Sequence, residues 1–260
     1  MSITSNLTHE IQLPSKGLLN PEIPEGKIVQ RCMMLSDQKF LAGSKLSGDL
    51  AIQELLRRCT ETPENIDVSA LTVPDSLYML FKLRSLSYGD KYTFRTKCPE
   101  CGSRIDVTID LSELEVVYLE PGYEKNLHVV LPHKGDTVYT KLMTNRDFSE
   151  IEKDVRRMKK RFPDSQEDFE ISMKLAAQIV RIKLQTPRED GTKELDNPID
   201  ILQYVEKLTD LDATAIKSTT ENVVYGIRPT VEKVCPNCNE IIDVNVQFGP
   251  QFFRPKFSNN

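Results

Sequence analysis

Apolar residues along this chain change period in an order that occurs twice. Residues 10–14 read as an extended segment, followed by a Ser-Lys-Gly turn and a loop in which Pro21, Pro24 and Gly26 interrupt regular structure. Residues 27–35 read as a strand, and residues 49–59 as a short amphipathic helix with Ile52, Leu55, Leu56 and Cys59 on one face. A second helix is predicted to open at Thr72, with Thr72 as N-cap and Pro74 in the first turn. Leu77, Leu80 and Phe81, joined by Met79, keep helical spacing, and Gly89 after Tyr88 supplies a stop. The period then falls to two. Tyr92, Phe94 and Thr96 alternate toward a cysteine turn, and Ile105, Val107, Ile109 and Leu111 alternate away from it, which predicts a β-hairpin.

Shifted by 137 positions, Leu71–Ile109 lies on Leu208–Val246 without a gap. Identities include Leu71/Leu208, Thr72/Thr209, Asp75/Asp212, Tyr88/Tyr225, Gly89/Gly226, Cys98/Cys235, Pro99/Pro236 and Cys101/Cys238. Earlier in each copy, Leu13-Pro14-Ser15-Lys16-Gly17 recurs as Leu131-Pro132-His133-Lys134-Gly135, at an offset shorter by 19 residues. The additional residues are expected to lengthen the charged helical stretch around 147–185. Asn197-Pro198 opens one helix, Thr209–Asn222 parallels the helix opening at Thr72 with Tyr225-Gly226 as the analogous stop, and Ile242, Val244, Val246 and Phe248 alternate after the second cysteine turn. The expected fold is therefore α+β, built of two homologous halves. Residues 1–120 form the first repeat, residues 121–249 the second with its longer helical insertion, and residues 250–260 an aromatic tail.

The 260 residues are 39% apolar and 28% charged, as expected of a globular chain with one large or two modest cores. Its apolar runs are too short for a membrane span, and Met1-Ser2-Ile3-Thr4 has neither part of a secretory signal, so folding in a cytosol is expected. A net charge of −5 and a pI near 5.4 work against general attraction to nucleic acid or anionic membrane. The basic run Arg156-Arg157-Met158-Lys159-Lys160-Arg161 follows Glu150, Glu152 and Asp154, an order that suits a solvated helix end better than a nucleic-acid contact.

Six cysteines in such a chain point to metal or free thiols. Cys32 and Cys59 stand alone among apolar neighbours and read as small buried hydrophobes. The other four form two Cys-Pro-x-Cys turns at the hairpin tips, Cys98/Cys101 and Cys235/Cys238. Two cysteines three apart in a tight turn present both sulfurs to one side, and two such turns complete a tetrahedral thiolate shell for a structural Zn2+. Gly102 and Asn239, which follow the second cysteine of each turn, tolerate the positive φ that aims backbone N–H groups at the sulfurs. A redox role would favour a single copy leading into a helix. Unmetallated or disulfide-paired cysteines are the competing reading. If the halves pack about a pseudo-two-fold axis, the tips meet and one zinc per chain serves both; otherwise two separate sites remain.

Neither a nucleophile motif nor a phosphate-binding loop is present, and His9, His128 and His133 fall in no metal or catalytic spacing. Asp196-Asn197-Pro198-Ile199-Asp200 reads as capping chemistry. No enzyme is expected, and so no small-molecule substrate. Two segments look like docking surfaces. The tail, with Phe252, Phe253 and Phe257, either folds back on its own core or inserts into a partner. The repeated Leu-Pro-x-Lys-Gly turn is either a plain turn bearing a lysine or a contact.

Leu-Pro-Ser-Lys-Gly near the start, the Leu-Thr-Val-Pro-Asp helix, Leu83-Arg84-Ser85-Leu86-Ser87-Tyr88-Gly89 and Cys98-Pro99-Glu100-Cys101-Gly102 together resemble the T4-type bacteriophage baseplate proteins, the group that contains the baseplate hub assembly protein. The resemblance implies a contractile-tail component or hub assembly factor. It would be made in the host cytoplasm, act by binding other tail or baseplate proteins, and either remain in the virion or leave it. Asn239 departs from the glycine of the first cysteine turn. The competing class is a cytosolic zinc-ribbon adaptor of nucleic-acid machinery, which the acidic pI and the lack of interleaved basic and aromatic residues disfavour.

Overall fold

The computed structural model describes residues 8–46, 48–61, 67–246 and 252–253, apart from the side chain of Asp49. In chain order the elements of the first part are β1 (Thr8–Gln12), β2 (Lys27–Arg31), α1 (Leu35–Gly43), α2 (Gly48–Cys59), β3 (Thr60–Glu61), α3 (Val73–Tyr88), β4 (Lys91–Lys97), β5 (Arg104–Asp110) and β6 (Val116–Val117). Then follow β7 (His128–Val130), β8 (Thr137–Thr140), α4 (Asn145–Arg161), α5 (Phe169–Gln178), β9 (Ile179–Lys183), β10 (Glu194–Leu195), α6 (Pro198–Val205), α7 (Asp210–Glu221), β11 (Gly226–Ile227), β12 (Thr230–Val234) and β13 (Ile241–Asn245). The class is α+β, with several small antiparallel sheets.

The chain divides into two compact units. The first comprises residues 1–68, 74–118 and 225–260, and the second residues 69–73 and 119–224. In the first unit β1, β2 and β3 form an antiparallel sheet, with Ile11 opposite Ile28. Leu55, Leu56 and Cys59 of α2 are fully buried, as the amphipathic spacing predicts. Its other elements are the hairpins β4/β5 and β12/β13, with β6 pairing antiparallel to β11. In the second unit the antiparallel sheet runs β10-β9-β8-β7, and Val138, Ile182 and Leu195 on its inner face share a core with Leu175, Ile201, Tyr204 and Ile216.

The helix starts expected at Thr72, Asn197 and Thr209 are in place, each directly before the first residue of α3, α6 or α7. Thr209 caps α7 by accepting from the Asp212 N–H, and Asn197 caps α6 by accepting from the Ile199 N–H. α4 begins with a reciprocal capping box between Thr144 and Asp147 and ends in Lys159, Lys160 and Arg161, while Arg156 and Arg157 pair with Glu152 and Asp154.

The elements differ from the sequence reading in three places. The strand expected over 27–35 stops at Arg31, because Asp37 turns the chain into α1 by accepting the Met34 N–H at 2.8 Å and the Arg31 guanidinium at 2.8 Å. The helix parallel to α3 ends at Glu221, and Gly226 opens β11 instead of stopping a helix. The stretch expected to be helical around 147–185 divides into α4, α5 and the strand β9, and β10 and α6 follow before α7. Cys59 is buried, whereas Cys32 is only half-buried.

Candidate metal centre

β4 and β5 pair in full register from Lys91↔Asp110 to Lys97↔Arg104, and β12 and β13 from Thr230↔Asn245 to Val234↔Ile241. In each hairpin one face is buried: Tyr92, Phe94, Ile105, Val107 and Ile109 in the first, Ile242 and Val244 in the second. Phe248, expected to continue that face, lies outside the described residues. Period-two patterning thus fixes which side of each hairpin turns inward, and register places one cysteine turn at each tip.

The two turns close with the same hydrogen bonds. The Cys98 N–H donates to the Ser103 carbonyl at 2.9 Å and the Gly102 N–H to the Cys98 carbonyl at 3.0 Å; Cys235 to Glu240 and Asn239 to Cys235 repeat them, each at 2.9 Å. Gly102 has φ 69° and Asn239 φ 61°, the left-handed conformation expected of both positions. A Cβ built on Gly102 meets nothing within 4 Å, so steric space does not require glycine there and asparagine serves in the second turn.

Within the first compact unit the four sulfurs meet. Cys98 Sγ lies 3.8 Å from Cys238 Sγ and Cys101 Sγ 3.8 Å from Cys235 Sγ, and all four lie within 4.8 Å of one another. The paired contacts interchange when the two turns are exchanged. A tetrahedron with metal–sulfur bonds of about 2.3 Å has sulfur–sulfur edges of about 3.8 Å, so this donor set fits one four-coordinate ion. All six cysteines are free, and 3.8 Å is far beyond a disulfide bond. Among the described residues no other group of three or more His, Cys, Asp or Glu is so arranged.

Hydrogen bonds prepare the sulfurs for the thiolate form. The Ser103 hydroxyl and its N–H hold the exposed Cys101 thiol down to about 6 against a small opposing effect of burial, with the neighbouring sulfurs adding to the lowering. Donation from the Asn237 and Cys238 N–H groups lowers Cys235. At Cys238 the Glu240 N–H acts downward, but burial and the crowding of Cys235, Cys101 and Cys98 push the thiol up to about 12. Without a metal, four close thiols compete for charge. A divalent cation removes that competition, and a four-sulfur shell leaves no position for water or substrate.

The aromatic tail divides. Phe252 and Phe253 are buried at 1% and 7% exposure, and Phe252 sets its ring edge-on to Phe81 at 5.6 Å and Tyr92 at 5.0 Å. These two rings pack against their own chain, one of the two arrangements the sequence offers for the tail. Phe257 lies outside the described residues. The lysine turns are also engaged, Lys16 over the Tyr118 ring at 5.2 Å and Lys134 over the Tyr204 ring at 4.2 Å.

Sequence reasoning missed two groups of residues. Ser103 carries no motif of its own, and its position two after Cys101 is the only hint that it reaches that sulfur. Asp75 and Asp212 are fully buried, and each accepts a backbone N–H from its own Leu-Pro-x-Lys-Gly turn: Ser15 to Asp75 at 3.0 Å, His133 to Asp212 at 2.9 Å. Their identity in the repeat was the available signal.

An α+β chain with two like hairpins meeting at four cysteines defines a protein with a candidate metal centre. The particular class comes from its relatives: a family model described as T4 bacteriophage base plate protein matches residues 8–254, and the chain belongs to that family. No curated protein and no solved structure matches it. Among the described residues no helix is long and apolar enough to cross a membrane.

Proposed function

We propose that this chain is a non-enzymatic component or assembly factor of the contractile-tail baseplate hub, acting by protein–protein binding and held in shape by one structural Zn2+ on Cys98, Cys101, Cys235 and Cys238. The family match places it among baseplate proteins. The observation that carries the zinc reading is the pair of 3.8 Å sulfur contacts between the turns, which fit a single tetrahedral ion. When bound, zinc supplies folding energy and charge neutralisation. The chain's own residues do the rest: the hairpins position the sulfurs, and Ser103, Asn237, Cys238 and Glu240 donate to them.

We read residues 1–120 and 121–249 as products of a duplication. Supporting this are the matching order of three antiparallel strands interrupted by two helices, a helix and a hairpin, the paired aspartate contacts, and the matching cysteine turns. The partners would be other baseplate or tail proteins, met in the host cytoplasm during assembly.

Deleting the gene from the phage and imaging lysates by electron microscopy tests the reading. Particles arrested before a complete baseplate are expected, and normal contractile tails would sink it. Mass spectrometry of purified virions then separates the two roles: presence marks a structural component, absence an assembly factor.

A further inference from the structure

We propose that Lys97 and Arg104 balance the negative charge of the metal-bound thiolate cluster, which makes the first hairpin the electrostatic counterpart of the site. The inference rests on the metal reading above. Four thiolates around a divalent ion carry a formal charge of about −2, which backbone N–H groups offset only in part.

The outer face of β4/β5 shows how the charge is distributed. Its cross-strand rungs run Lys91↔Asp110, Thr93↔Thr108, Arg95↔Asp106 and Lys97↔Arg104. The first three are complementary: the Asp110 carboxyl is lowered chiefly by donation from Ser112 and then by the opposite charge of Lys91, the two threonine hydroxyls lie 2.8 Å apart, and Arg95 pairs with Asp106 at 2.7 Å. Complementarity breaks at the fourth rung, the one adjoining the cysteines. Two like charges directly opposed across a ladder destabilise a hairpin taken alone. Both side chains are exposed, and neither has an ion-pair partner among the described residues.

Position links this rung to the sulfurs. Lys97 immediately precedes Cys98, and Arg104 follows Ser103, whose N–H and hydroxyl bind Cys101. The second hairpin's tip rung is Val234↔Ile241; Lys233, the residue before it, stands opposite the buried Ile242 on the inward-facing set, and the outward-facing rung beyond the tip is the acidic pair Glu232↔Asp243, which can only add to a negative field. Compensation on the outer faces of the two hairpins therefore falls to Lys97 and Arg104, acting as positioning charges through space rather than as ligands.

The test is the Zn2+ affinity of the full-length chain, read by competition with a chromophoric chelator, for the parent, K97Q/R104Q and K97E/R104E. Neutralisation is expected to weaken zinc binding about 3- to 10-fold and reversal about 10- to 50-fold at about 50 mM salt, both differences shrinking at about 500 mM. Parental affinity in both variants at low salt overturns the proposal, as does a loss that salt leaves unchanged, since that marks a damaged hairpin. A parent chain that takes up no zinc overturns the metal reading itself. A parent binding one zinc with unaffected variants overturns only the charge assignment.

Discussion

Asp75 and Asp212 show how a single buried side chain can organise a turn. Each sits in the first turn of its helix with no exposed surface and accepts one backbone N–H from a loop about sixty to eighty residues away in sequence. A buried N–H that loses its acceptor costs about 1–3 kcal/mol. Asp212→Ala is therefore expected to destabilise the chain by about that amount in chemical denaturation, because the His133 N–H is left unpaired. Asp212→Asn keeps an oxygen for that N–H, and Oδ2 of Asp212 has no hydrogen-bond partner to lose. Its cost should be less than half as large, and equal costs for the two variants would show that the carboxylate matters for another reason. Periodicity could not reveal this contact, since an aspartate at the third position of a helix is ordinary capping chemistry until the loop it meets is known.

Among the elements, long periodic segments were legible and short irregular ones were not. α2, α3, α6, α7 and both hairpins lie where apolar spacing and caps place them, within a residue or two at most ends. α1 was missed because its Leu35, Phe40 and Leu41 trace no single face, and the turn into it depends on Asp37 meeting Arg31. β6 and β11, two residues each, carry no periodic signal, and their pairing joins segments more than a hundred residues apart. Gly226 shows what that pairing demands. Its φ is 109°, and a Cβ there would lie 2.8 Å from Pro74 Cβ, so Gly226→Ala meets both backbone strain and a collision. Gly89 occupies the corresponding place in the first half with φ 82° but open space around it. Thermal denaturation should show Gly226→Ala losing more stability than Gly89→Ala, by about 1 kcal/mol or more. Equal shifts would mean that the approach to Pro74 relaxes without cost.

At the level of the molecule, both cysteine turns belong to one compact unit, although more than a hundred residues separate them in sequence. A metal on the four sulfurs would tie together the two hairpins of that unit. Chelation of zinc from the purified chain, followed by hydrogen exchange, should raise exchange over 91–110 and 230–245. The amides of Val138 and Ile182, in the core of the second unit, should keep their protection. A uniform rise through both units would contradict this division, and no rise at all would remove zinc as a source of stability.

The sequence by itself determined the local grammar: the α+β class, the hairpins and their inward faces, the positive φ after each second cysteine, and the family resemblance that the whole-chain match supports. These are set by period, backbone sterics and short motifs, all of which act within a few residues. Tertiary structure alone decided that the two cysteine turns meet, that Phe252 closes onto Phe81 and Tyr92, and that the aspartates hold the lysine turns. Each of these joins segments far apart along the chain, and such contacts depend on how whole faces pack, which residue spacing does not encode.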